Sequence, residues 1–213
     1  MGMANIECIT LDVADPTAAN RFYAEAFGLD SPIRTRAAQD STTGFRGFML
    51  ALTVSRPATV DGLIASALAA GATTLKPAAK SLWGYSGVVQ APDGEIWKIA
   101  TSAKKDTGPA TRQIDEIVLL VGVADVVASK RFYVGRGLTV AKSFGRTYAE
   151  FDGGSGRVKF ALYRRRALAK EVGVAPEGTG SHRFVIGGDG GPFTDPDGFE
   201  WQTAASLPLT SSS

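Results

Sequence analysis

The chain has 213 residues, 44% hydrophobic and 21% charged, enough apolar material for one large domain or two small ones. Its 23 Lys and Arg against 21 Asp and Glu leave a formal charge of +2 with no basic stripe, so no nucleic-acid partner is expected. One cysteine, Cys8, excludes an intrachain disulfide framework and fits a reducing compartment; with no leader-like start and no apolar run of membrane-spanning length, the expected setting is the cytoplasm, away from membranes.

Taken in order, Asn5 to Val13 alternates loosely and predicts a strand. Asp15-Pro16 supplies an N-cap with Pro at the first helical position, and the helix that follows carries Ala18, Phe22, Ala26 and Phe27 on its apolar side before Gly28 stops it. Phe48 to Val54 predicts a strand. Val60, Leu63, Ile64, Ala67 and Leu68 mark a helix face ending at Gly71, and short strands are expected near Thr73 to Leu75 and Ser86 to Gln90. After a polar stretch the first pattern returns: an apolar strand from Ile114 to Val121, then a helix with Val126, Val127, Phe132 and Tyr133, stopped at Gly137. Three further strands are expected at Thr139–Lys142, Tyr148–Phe151 and Val158–Tyr163, and another at Ser181–Ile186. The run Arg164-Arg165-Arg166 reads as a solvated strand end.

The internal ruler is a turn. Ala91-Pro92-Asp93-Gly94-Glu95-Ile96-Trp97 returns as Asp195-Pro196-Asp197-Gly198-Phe199-Glu200-Trp201, each a Pro-Asp-Gly turn feeding a short strand. Tyr23 and Tyr133 are offset by 110 (133−23), Pro92 and Pro196 by 104 (196−92), but Arg46 and Arg183 by 137 (183−46). The two halves are therefore repeats with complementary shortenings: the first has a reduced first unit, the second a reduced second unit. The expected division is a domain over 1–102, a linker over 103–112, a second domain over 113–207 and a flexible tail over 208–213.

These marks, in this order and twice over, resemble the vicinal oxygen chelate superfamily, the glyoxalase, bleomycin-resistance and ring-cleaving dioxygenase group. The marks are Val13-Ala14-Asp15, Phe22-Tyr23, Gly28-Leu29, Ala69-Ala70-Gly71-Ala72, Trp83-Gly84-Tyr85 and both Pro-Asp-Gly turns with their Trp. The resemblance implies an α+β fold of repeated βαβββ modules whose curved mixed sheets wrap a cup. It also implies a divalent metal ion held by His, Glu or Gln on the first and last strands of paired modules.

Carried onto this sequence, those positions fall on Cys8, Met49, Glu116 and His182 for the first strands and on Lys98, Ala161 and Gln202 for the last. If the two complete modules pair, the cup centre holds Met49, Lys98, Glu116 and Ala161. That set is wrong for an ion, and Lys98 is expected either to pair with Glu116 or to face solvent. The other grouping takes Cys8 or Glu116 with His182 and Gln202, and would hold one divalent ion. Trp97 and Trp201 alternate with Lys98 and Gln202 and are expected to face the helices. Trp83 and Tyr85, in a loop leading into a strand, are read as lining a pocket. Cys8 reads as a core thiol.

The preferred expectation is a binding or sequestering protein without a metal cofactor, its small organic ligand held by Met49, Trp83, Tyr85, Lys98 and Glu116. One alternative is a metal-dependent lyase or dioxygenase using Glu116, His182 and Gln202. Another is a non-catalytic interaction module, which predicts a filled cup. The resemblance also leaves a homodimer open, since such modules can complete sheets between chains.

Overall fold

The structure, a computed structural model, describes residues 5–29, 31–179 and 184–207. The first segment holds β1 (Ile6–Val13), α1 (Pro16–Phe27), β2 (Ile33–Ala37) and the two-residue β3 (Thr43–Gly44). A second holds β4 (Phe48–Thr53), α2 (Pro57–Ala69), β5 (Thr73–Ser81), β6 (Gly84–Gln90) and β7 (Ile96–Thr101). A third, in the same element order, holds β8 (Glu116–Val123), α3 (Val126–Gly135), β9 (Val140–Phe144), β10 (Tyr148–Phe151) and β11 (Val158–Arg164). Then come α4 (Arg165–Val172), β12 (Gly178–Thr179), β13 (Phe184–Gly188), β14 (Phe193–Thr194), β15 (Glu200–Thr203) and a 3-10 turn at Ala204–Ser206.

The helix starts follow from local chemistry. Asp15 accepts from the Ala18 N–H at 3.0 Å with Pro16 in the first turn, and Gly28 closes α1 at φ 69°. Asp125 accepts from Val127 and Ala128 N–H at the start of α3. α2 has no capping side chain of its own; Asp106, from the polar connection, accepts from Ala58 N–H at 2.6 Å instead. Arg112 in the same connection donates to the Glu25 and Ala26 carbonyls near the end of α1. The linker is thus bonded along the helices.

Two large sheets result, and each takes strands from both sides of that connection. The eight-stranded sheet has the order β5-β6-β7-β4-β8-β11-β10-β9, so the two βαβββ segments meet at the antiparallel pair β4–β8. The five-stranded sheet, β14-β15-β13-β1-β2, joins the shortened segments at the antiparallel pair β1–β13. Side chains alternate along each strand, which sorts the apolar residues. Ile9, Leu11, Phe48, Leu50, Trp97, Phe184, Ile186 and Trp201 enter one core shared by the helices and both sheets. Their neighbours Cys8, Met49, Val88, Ile96 and Val185 face away and form two separate clusters. Trp97 and Trp201 do face the helices: Trp97 meets Tyr23 and Phe27 of α1 at 5.3 and 5.0 Å between ring centroids, and Trp201 meets Tyr133 of α3 at 5.7 Å.

The Pro-Asp-Gly turns are fastened to the helices that precede them. The Tyr133 hydroxyl donates to Asp195 at 2.7 Å and accepts from Trp201 Nε1 at 3.2 Å. Tyr23 donates to Asp93, and buried Glu95 in the same turn pairs with Arg46. Burial pushes the Glu95 carboxyl up to about 8, with the Arg46 guanidinium pulling the other way.

Candidate functional site

The outward face of the eight-stranded sheet is the expected cup. Across its centre run Met49, Leu120 and Ala161, then Lys98, Ala51, Val118 and Lys159, then Ala100, Thr53 and Glu116. The first of these rows is covered by the chain itself. β11 runs directly into α4, whose Leu168, Ala169 and Val172 are fully buried against Met49, Val88, Ile96, Leu120 and Tyr163. Gly122 permits this reversal: a Cβ there would lie 2.8 Å from the Gly47 carbonyl oxygen and 3.0 Å from Arg165 Cα.

Arg165 then anchors the helix, donating to the Phe45 carbonyl at 2.8 Å and the Pro176 carbonyl at 3.1 Å. Lys76 closes the other end on the carbonyls of Lys170 and Glu171, where an ammonium also meets the negative end of the helix dipole. The reading of the triple arginine as a solvated strand end therefore holds for exposed Arg164 and Arg166 and fails for Arg165, which ties down a helix that the sequence reading does not contain.

The charges on this face are paired, but in a different pattern from the one expected. Lys98 pairs with Glu171 of α4 at 2.5 Å, and Glu116 pairs with Lys159 at 2.5 Å. The Lys98–Glu116 pair is not formed. Lys98 stands beside Ala51 while Glu116 stands opposite Thr53, two residues further along β4, and each has a nearer partner.

Of the five residues expected to line the ligand site, the structure brings two together. Trp83 and Glu116 border one groove of about 450 Å³, with Thr53, Val54, Ser55, Ala100, Thr101, Ser102 and Asp115. Gly84 makes this possible: a Cβ there would fall 2.0 Å from the Thr101 carbonyl oxygen, so only glycine lets the β5–β6 tip lie against Thr101 and Ser102. Trp83 is 84% exposed on that tip. Met49 is sealed under α4, and Lys98 lies beside α4 rather than on the groove. Tyr85 belongs to β6, not to a loop; its hydroxyl donates to Asp61 of α2 at 2.8 Å, which places it on the helix side of the sheet. Asp115, Thr53 and Ser102 were not singled out by sequence. Asp115 precedes Glu116 at the mouth of the first strand after the linker, and that position was the available signal.

The five-stranded sheet has an outward face as well. Cys8, Gly187 and Gln202 lie in one cross-strand row. Leu207, following the 3-10 turn, closes over Cys8 and Val185; a Cβ on Gly187 would lie 2.5 Å from Cys8 Sγ and 2.8 Å from Leu207 Cδ1. Cys8 is 1% exposed, and burial raises its thiol pKa, partly offset by Arg34. It is a core thiol. His182 lies outside the described residues.

No protein-family model and no curated protein matches this sequence. Solved structures do match. Glyoxalase I from Zea mays superposes with a TM-score of 0.61 at 15% identity, covering 93% of this chain and 91% of that one. This is the glyoxalase fold. A putative dioxygenase from Bacillus subtilis is also similar, with a TM-score of 0.53 at 12% identity, covering 85% of this chain and 69% of that one. The glyoxalase fold accounts for the α+β architecture with its paired βαβββ segments and curved mixed sheets.

The metal that the glyoxalase resemblance implies does not fit the residues of the large face. Met49 opposes Leu120 and Glu116 opposes Thr53, four residues apart along β4, roughly 13 Å at the rise of a strand. The remaining carried-over positions offer an ammonium from Lys98 and a methyl from Ala161, and Glu116, the one carboxylate among the four, is already paired with Lys159. The alternative trio fares no better as a unit: Glu116 is on the eight-stranded sheet and Gln202 on the five-stranded one. Among the described residues, no three His, Cys, Asp or Glu side chains gather as a metal group.

Proposed function

We propose that this glyoxalase-fold chain is a metal-independent binding protein that holds a small organic ligand in the groove beside Trp83, Thr53, Ala100 and Glu116. The observation that carries the reading is the seat of α4. Its Leu168, Ala169 and Val172 occupy the floor of the cup, which leaves the groove at the far end of β4 and β7 as the open part of the same face. An exposed aromatic ring beside a concave surface with a few hydroxyls and carboxylates suits a small amphipathic molecule. The proposal includes a reducing, cytoplasmic setting, supported by the lone thiol Cys8. No helix among the described residues is long and apolar enough to cross a membrane.

The filled floor also favours a second reading, an interaction module that turns nothing over, with exposed Leu82 and Trp83 as its contact tip. A calorimetric small-molecule screen separates the two: saturable heats lost in Trp83→Ala support the groove, and their complete absence favours the module. Stoichiometric uptake of Ni, Zn, Fe or Mn with turnover of a thiol adduct or a diol would overturn metal independence.

A further inference from the structure

We infer that the groove selects an organic cation bearing an apolar or aromatic group; this rests on the groove reading above and adds the chemical class of its ligand. The charge on its wall is of one sign. Among the described residues, Asp115 and Glu116 are the only ionisable ones on it, and no Lys or Arg lines it.

Lys159 pairs with Glu116 Oε1 and offsets part of that charge, and Lys98 is committed to Glu171. Glu116 Oε2 is left with only a long 3.5 Å contact from the Thr53 hydroxyl. The Asp115 carboxylate enters no ion pair among the described residues; it is the Asp115 backbone N–H that is bonded, to the Thr53 carbonyl at 2.9 Å. The same groove is bordered by Trp83, held on the hairpin tip by the close approach of Gly84 to Thr101 and 84% exposed. A π-face attracts a cation that is poorly hydrated, and a quaternary or aryl-alkyl ammonium is such a cation. Ala100 supplies an apolar patch of wall for its carbon substituents. An anionic ligand of the same shape would face the unpaired Asp115 carboxylate, with the nearest ammonium, Lys159, already paired to Glu116.

The test uses the tryptophans themselves. Trp97 and Trp201 are 0% and 1% exposed, so Trp83 is the one indole of the three that an added solute reaches directly. Emission is followed while benzyltrimethylammonium, benzyl alcohol or benzoate is titrated into the full chain. The expected result is a saturable response to the cation, weakened by added NaCl. Asp115→Asn should weaken it roughly threefold to tenfold, as loss of a charge contact predicts. Trp83→Leu, followed by calorimetry, should weaken it roughly twofold to fivefold. Benzyl alcohol or benzoate binding as tightly as the cation, through Trp83, would overturn the cation inference and leave the binding groove standing. No saturable response to any of the three would overturn both.

Discussion

The seat of α4 decides whether the cup is filled by design of the chain, and Leu168→Ala tests it. The side chain is fully buried in the cluster that holds Met49, Val88, Ile96 and Val172. Truncation to Ala removes three carbons, about 2–3 kcal/mol of transfer free energy at ~0.8 kcal/mol each, and up to about 5 if the cavity does not close. Two observables are needed, because a helix that detaches as a unit limits the loss seen in global unfolding.

Urea unfolding should show that loss with an unchanged slope, and amide exchange should show α4 protected in the wild type and released in the variant. Arg166→Ala, on the exposed side of the same helix, should stay within about 0.5 kcal/mol of the parent. A wild-type α4 whose amides exchange freely, together with a Leu168→Ala loss below about 0.5 kcal/mol, would refute the packing argument and reopen the cup floor as ligand space.

Four further outcomes follow from named contacts. Lys98→Met should cost less than about 1 kcal/mol, since Glu171 is 42% exposed and solvent can take over its charge; a larger loss by thermal unfolding would place that pair in a drier setting. Tyr133→Phe strands both Asp195 and Trp201 Nε1 in the core and should cost about 1–3 kcal/mol by urea unfolding; an unchanged midpoint would contradict it. The Glu95 carboxyl sits at about 8 when folded, so the folded state binds its proton more tightly than the unfolded chain does. Its contribution to stability is complete below the unfolded carboxylate range and is lost as pH rises through about 8; Glu95→Gln should flatten that part of the stability–pH curve, and an unaltered slope would reject the assignment. Truncation after Thr203 removes Leu207 from Cys8 and should turn a slow thiol label into a fast one under native conditions; equal labelling rates would show that Leu207 does not seal that face.

Much of the fold was legible because its signals are local. Asp15-Pro16 and Asp125 are helix starts whose side chains act within three residues, and the Pro-Asp-Gly turns carry their own backbone requirements. Alternation along the strands also put Trp97 on the helix side and Lys98 opposite it. The site was harder, because lateral register and a helix from another segment decide it. Lys98 and Glu116 were correctly placed on one face, but two residues of stagger and the arrival of Glu171 gave each another partner. Tyr85 was misplaced because β6 begins at Gly84, and a strand start one or two residues earlier than expected reassigns which side chains face the helices. α4 has strong helix formers in Ala167, Leu168, Lys170 and Glu171 and a stop at Gly173, φ 84°, yet eight residues are too few to hold a helix without a tertiary seat.

That seat gives the concave faces a common logic. A curved sheet offers its outward face to whatever apolar group lies nearest, and here the nearest groups belong to the chain itself: three fully buried side chains of α4 on the large sheet, and Leu207 on the small one. An external ligand at either floor would have to displace them, and the larger apolar cluster under α4 makes the large floor the costlier to open. The groove at Trp83 carries no such competitor, because Gly84 holds the hairpin tip against Thr101 and Ser102 and leaves the indole facing solvent. The proposed shift of binding from the floor to the rim, where Asp115 stands unpaired and Glu116 shares its charge with Lys159, is what turns the expected preference from a chelating anion toward a cation.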